Sequence, residues 1–158
     1  MDIKKTANSF ANFTIKRIAE IFGITVFCAG VLLLLALITY SPEDPNFIFP
    51  ENTKIDNILG FQGSFVSDVF FQSIGLVSYF FSFTLIITGI NIIRSKEFFL
   101  IIENIFFAIV YSLLGTLFFA HFYSEAFALY INGNGGFVGN YLNQTFLNSI
   151  ILINEVIF

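Results

Sequence analysis

The sequence predicts an all-α membrane protein: four transmembrane helices with a structured outer loop between the first and second. Three observations lead there. The chain is 56% hydrophobic and only 11% charged, where a soluble domain carries about a quarter charged residues, so too little polar surface remains to cover a globule. The apolar residues gather into four long stretches, each near the ~20 residues that cross a ~30 Å hydrocarbon core. Six of the seven basic residues, Lys4, Lys5, Lys16, Arg17, Arg94 and Lys96, fall before the first stretch or just after the second. Lysine and arginine stay on the cytoplasmic side and set topology, so both chain ends are expected in the cytoplasm.

Residues 1–20 form the expected cytoplasmic N-terminal segment, and residues 21–158 the four-span membrane domain. Within the first, Asn8 to Glu20 suit a short amphipathic helix leading into the membrane, with Phe10, Phe13 and Ile18 as its apolar contacts. The first span is Ile21 to Tyr40, without a charge. Its apolar core is too long for a signal peptide and no small-residue cleavage site follows. Cys28 follows Val26 and Phe27, where a lipidated cysteine would need a small residue before it.

The loop 41–68 holds Glu43, Asp44, Glu51, Asp56 and Asp68 against Lys54, and its place is outside. Pro42, Pro45 and Pro50 keep its first half from being helical. Its second half, Ile58 to Ser67, is apolar and glycine-rich, and is expected to pack back on the membrane surface. The second span is Val69 to Ile93, closed on the inside by Arg94 and Lys96. Ser73, Ser78, Ser82 and Thr84 allow close helix approach or hydrogen bonds across an interface. Asp68 reads as an interfacial acid at the N-terminus of this span, favoured by the helix dipole.

The third span is Asn104 to Phe122. Phe98 to Ile102 are expected at the interface, because a charge such as Glu103 costs ~2.5–3.5 kcal/mol at the bilayer centre. His121 closes this span on the outside, with no second His or Cys to make a metal site. The fourth span, Phe137 to Phe158, is the most polar. Asn140, Asn143, Gln144, Asn148, Asn154 and Glu155 fall within an arc of about 140° on one helix face. Such a stripe is expected to face other helices, in this chain or in a neighbouring copy. Asn140, Asn143, Gln144 and Asn148 are the candidate helix–helix interface. A helix lying on the surface is the alternative, but the lysines and arginines that such a helix carries are missing. Gly135 and Gly139 suit either close packing or a turn after Asn132, Gly133 and Asn134.

Several function classes are excluded or disfavoured. One cysteine rules out an internal disulfide and a multi-cysteine metal site. A net charge of −4 without a basic stripe argues against direct nucleic-acid contact. No G-x-x-x-x-G-K-[ST] run exists to cradle a nucleotide phosphate. No span carries paired carboxylates, a Ser–His couple or a metal cluster. No catalytic residue, cofactor or metal is expected, and this segment is not an enzyme by itself. The abundance of Phe and Asn, with no Trp, matches the codon bias of an AT-rich genome.

The order of landmarks carries a resemblance. The first span runs into Thr39-Tyr40-Ser41-Pro42-Glu43-Asp44-Pro45. Asn57-Ile58-Leu59-Gly60-Phe61-Gln62-Gly63-Ser64 then precedes Asp68, a Gly75-Leu76 pair follows, and Gly135-Gly136-Phe137-Val138-Gly139 opens the fourth span. From about Arg17 onward this resembles the N-terminal four-span membrane domain of FtsK-type bacterial DNA translocases. Ser64 stands where that family usually has Ala. The family-motif residues are Ser41, Pro42, Asp44, Pro45, Asn57, Gly60, Gly63, Asp68, Gly75, Gly135, Gly136 and Gly139.

The resemblance implies an inner-membrane, multi-pass anchor at the division septum. It implies a role in cell division and chromosome segregation, and contacts with other division proteins. It also implies a cytoplasmic linker and a hexameric ATP-driven motor after the fourth span, neither of which this chain contains. The hexameric motor suggests a homo-oligomer. The competing expectation is a small multi-span channel or transporter subunit, although only the fourth span carries a dense polar stripe and no inverted repeat is visible.

Overall fold

The computed structural model describes residues 3–45, 54–123 and 132–147. Their helices, in chain order, are α1 (Ile3–Ile38), α2 (Gly60–Ile74), α3 (Val77–Ser95), α4 (Leu100–Phe122) and α5 (Gly136–Leu142). A π-helical turn, Asn143–Leu147, continues α5. Among the described residues there is no strand. Also among the described residues, three helices are long and apolar enough to cross a membrane: Asn8–Ile38 within α1, then α3 and α4. The second half of the expected fourth span, including Asn148, Asn154 and Glu155, lies outside the described residues.

The N-terminal segment and the first span form one helix rather than two. No Gly or Pro interrupts the chain before Gly23, and Arg17 and Glu20 pair along the helix, so nothing stops it at residue 20. At 36 residues α1 is about 54 Å long, well beyond the hydrocarbon thickness.

The second span is shifted and the loop before it shortened. The apolar run expected to cross from Val69 to Ile93 breaks at Gly75-Leu76 into α2 and α3. Gly75 takes φ 58° and ψ −140°, a conformation open to glycine alone. Residues 60–68 of the expected loop are the first half of α2, so Asp68 stands in mid-helix and not at a span's N-terminus. The run carries no charge or proline to mark such a break, and Gly75 does not stand out from Gly89 in sequence. At the other side of the bundle, α4 begins at Leu100, so Leu100 to Ile102 already belong to its first turn.

The main packing seam runs between α1 and α3, which are antiparallel. On α1 the buried residues Ala19, Gly23, Val26, Gly30, Leu33 and Leu37 recur at alternating spacings of four and three, the period of a packed helix pair. Gly89 of α3 meets the Phe27 backbone and the Gly23 carbonyl, so closely that a Cβ there would lie 2.5 Å from the Phe27 nitrogen. Gly30 faces Leu85 and Ile86 in the same way. Small residues bring the two backbones together, the usual device of helices packed in lipid. At one end of the seam Lys96 Nζ reaches Glu20 at 2.8 Å. At the other, the Tyr79 hydroxyl donates to the Leu37 carbonyl at 3.3 Å.

Helix α4 packs on α3 through hydroxyl and amide groups. Thr84 and Tyr111 join at 2.7 Å, and the Asn104 amide donates to Thr88 at 2.8 Å. Away from these contacts α4 is apolar and exposed, with Phe106, Phe107, Leu114 and Phe118 on its surface, as a lipid-facing surface requires. Ser78 and Ser82 are fully buried and donate to carbonyls three residues before them, Gly75 in the break and Tyr79 in α3.

Candidate functional site

An α-helix leaves its last four carbonyls without an internal partner, and in lipid each orphan costs several kcal/mol. Three helices of this bundle end together, and each receives a remote asparagine amide. Asn57 Nδ2 donates to the Ala36 carbonyl of α1 at 2.9 Å. Asn132 Nδ2 donates to the Gln72 carbonyl of α2 at 3.2 Å. Asn134 Nδ2 donates to the carbonyl of Tyr123, which caps α4, at 2.6 Å. These caps make one end of the bundle into a polar knot of two connected halves.

The first half is built on Asp44. The Ser41-Pro42-Glu43-Asp44 turn closes with an Asp44 N–H to Ser41 carbonyl bond of 3.2 Å. It leaves the Asp44 side chain almost wholly buried. Its two oxygens accept the backbone N–H groups of Asp56, at 2.8 Å, and Asn57, at 2.9 Å. Asn57 is thereby held to cap α1, and its Oδ1 accepts the Leu59 N–H at 3.1 Å. Gly60 then turns the chain with φ 65°. Gly63 lies so close to the Asn57 amide that a Cβ would collide with it. Ser64 donates to the Pro45 carbonyl at 3.1 Å. Pro45 thus meets Ser64, 19 positions further on, beside the Asn57–Gly63 contact.

The second half surrounds the α2–α3 break. The Leu76 N–H donates to the Asn134 carbonyl at 2.9 Å. The Gly75 backbone approaches that carbonyl too closely to admit a side chain. Gly136, at φ 64°, completes the turn from the other side, against the Ser73, Ile74 and Gly75 backbone. Gly135 and Gly139 pack against Thr116 and Ala120 of α4. The glycine run is therefore both a turn and a close-packing face, the two expectations combined.

Asp68 and Gln72 connect the halves. The Tyr40 hydroxyl donates to Asp68 Oδ1 at 3.1 Å. The Gln72 amide reaches the same oxygen at 3.5 Å, a weak contact. Gln72 Oε1 in turn accepts from Asn132 at 3.1 Å. The network joins α1, α2 and the turn before α5.

The polar stripe of the fourth span divides. Asn140 donates to the Asn132 carbonyl at 2.7 Å, and Asn143 meets His121 of α4 at 3.2 Å. Both are used within the chain. Gln144 is exposed, and Asn148 is outside the described residues. The π-helical turn after Leu142 changes the helical phase, so a stripe drawn at 100° per residue does not hold through Asn143.

The sequence reading missed Tyr40, Gln72, Asn132 and Asn134 as network members, and Gly23, Gly30 and Gly89 as seam residues. For the seam, the alternating four-and-three spacing along α1 was the available signal. For the caps there was none, since their acceptors are backbone atoms remote in sequence.

An all-helical bundle with an apolar outer surface, small-residue seams and helix ends closed by asparagine amides defines a multi-span helical membrane protein. The model of the 4TM region of DNA translocase FtsK/SpoIIIE matches residues 15–154, and the chain belongs to that family. It is 30% identical over 78 residues to the DNA translocase FtsK of Rhizobium meliloti, covering 49% of this chain and 9% of that protein. It is 33% identical over 79 residues to the DNA translocase FtsK of Caulobacter vibrioides, covering 50% of this chain and 10% of that protein. The matched part spans about a tenth of the length of those relatives. No solved structure matches the chain. The family implies four spans, of which α1, α3 and α4 are described in full.

Proposed function

We propose that this chain is the membrane-anchoring and interaction domain of an FtsK-type DNA translocase acting in cell division and chromosome segregation. The observation that carries the reading is the family match over residues 15–154. In support, motif residues distant in sequence share one hydrogen-bonded knot. Its mechanism is structural: to hold a cytoplasmic motor at the septum, to assemble with copies of itself and to bind division proteins. The basic residues around Lys16 and Lys96 support a topology with both ends of the chain on the cytoplasmic side of a bacterial inner membrane, the knot then lying on the outer side.

Fluorescent-protein fusions to the full-length protein and to residues 1–158 test this. A band at the septum for both, with C-terminal fluorescence and no C-terminal alkaline phosphatase activity, is the expected result. Uniform membrane fluorescence for residues 1–158 would remove the division role. Activity of a phosphatase fused after residue 158 would overturn the topology. The channel reading has weaker support. Among the described residues the α1–α3 seam is packed backbone to backbone at Gly23, Gly30 and Gly89.

A further inference from the structure

Helix α2 has its polarity reversed. The buried face is Gly63, Ser64, Ser67, Asp68 and Phe71. The exposed face carries Phe61, Val66 and Val69, continued by Ile58 in the turn before the helix. Gln62 is the one exposed polar side chain of the helix, and its only charged residue, Asp68, points inward to Tyr40. A helix bathed in water arranges itself the other way round.

The position of α2 agrees with its polarity. Leu59, Gln62, Gly63 and Val66 line a groove of about 330 Å³ together with Ala29, Leu32, Leu33 and Ala36 of α1. Helix α2 thus lies alongside the last turns of α1, not beyond their end. Those turns belong to an uncharged apolar stretch whose outward side chains, Leu32 and Leu35, are themselves exposed. The exposed face of α2 therefore continues the lipid-facing surface of α1 at the same depth.

We propose that α2 is sunk in the membrane leaflet that the C-terminal end of α1 reaches, with phospholipid acyl chains covering its Phe61–Val69 face and occupying the α1–α2 groove. The polar knot then acts as the inner lining that lets a short, broken segment sit at hydrocarbon depth. This rests on α1 and α4 spanning a bilayer and is independent of which side is the cytoplasm.

Single cysteines at Phe61 and at Val69 test it, in membranes containing the full-length protein with every other cysteine replaced. Glu43→Cys is the water-exposed reference and Leu114→Cys the lipid-facing one on α4. Reaction with a charged maleimide should be at least about tenfold slower for Phe61→Cys and Val69→Cys than for Glu43→Cys, the ratio that burial of one large apolar side chain provides. A bimane probe at either position should be quenched by acyl-brominated phosphatidylcholine as strongly as at Leu114→Cys. Labelling as fast as at Glu43→Cys without quenching would overturn the proposal in favour of a water-exposed helix. Slow labelling without quenching, with disulfide-linked dimers, would overturn it in favour of a second copy on this face. Absence of quenching at Leu114→Cys as well would overturn the membrane placement of α4, and this proposal with it.

Discussion

The α1–α3 seam and the polar knot stabilise the bundle by opposite means. The seam is made of small and aliphatic residues at a regular period, and its contacts are nonspecific in chemistry but exact in spacing. The knot has no period. It is assembled from turns and helix ends, and its side chains are chosen for the backbone groups they reach. In lipid both are needed. Helices of good hydrophobicity have little hydrophobic drive to associate there and depend on close packing. Helix ends and breaks need hydrogen-bond partners that the hydrocarbon cannot offer. The seam therefore depends on the size of its residues, and the knot on which backbone groups its side chains reach.

Substitutions can break this contrast, and the largest effect is expected at Gly75. In Gly75→Ala the new Cβ would strike the Asn134 carbonyl at a left-handed φ, costing about 3 kcal/mol or more. The expected result is loss of the monodisperse species in detergent. In the seam, Gly89→Ala pushes α3 off the Phe27 backbone and should cost about 2–3 kcal/mol. A lowered midpoint for thermal loss of the monodisperse peak measures it. An unchanged midpoint would mean that the α1–α3 crossing is not set by glycine.

Asp44→Ala leaves the buried Asn57 N–H without its acceptor and should cost about 2 kcal/mol, with Asp44→Asn recovering part of the loss in the same thermal assay. If both variants match the unsubstituted protein, the knot is not a capping device. Tyr40→Phe removes one hydroxyl from Asp68 and should cost about 0.5–1.5 kcal/mol. Its effect should be non-additive with Asp68→Ala in a double-mutant cycle. The smallest effect is expected at Gln144→Leu, on the exposed side of the stripe, within about 0.5 kcal/mol. Changed cross-linking between copies with unchanged thermal stability would assign Gln144 to an interface between subunits.

Asparagine shows how the legible and the hidden divide. As composition, its abundance looks like codon bias. In the structure Asn57, Asn132 and Asn134 each close a helix end, and Asn140 ties the turn that holds two of them. Their partners are carbonyls, which every residue possesses, so no side-chain pattern could announce the pairing. Asp44 is a similar case. Its charge helped to assign the loop a side of the membrane, while its two backbone contacts depend on where the chain returns after residue 53.

The sequence alone carried the helical class and the membrane-spanning character, because hydrocarbon thickness acts on local composition. It also supplied the family, through the order of short motifs. Tertiary contacts set the break of the second span at Gly75 and turn the polar face of α2 inward. Those outcomes depend on what stands across a gap: a carbonyl of Asn134, the backbone of Phe27, the hydroxyl of Tyr40. A linear reading contains the groups but not the distances between them.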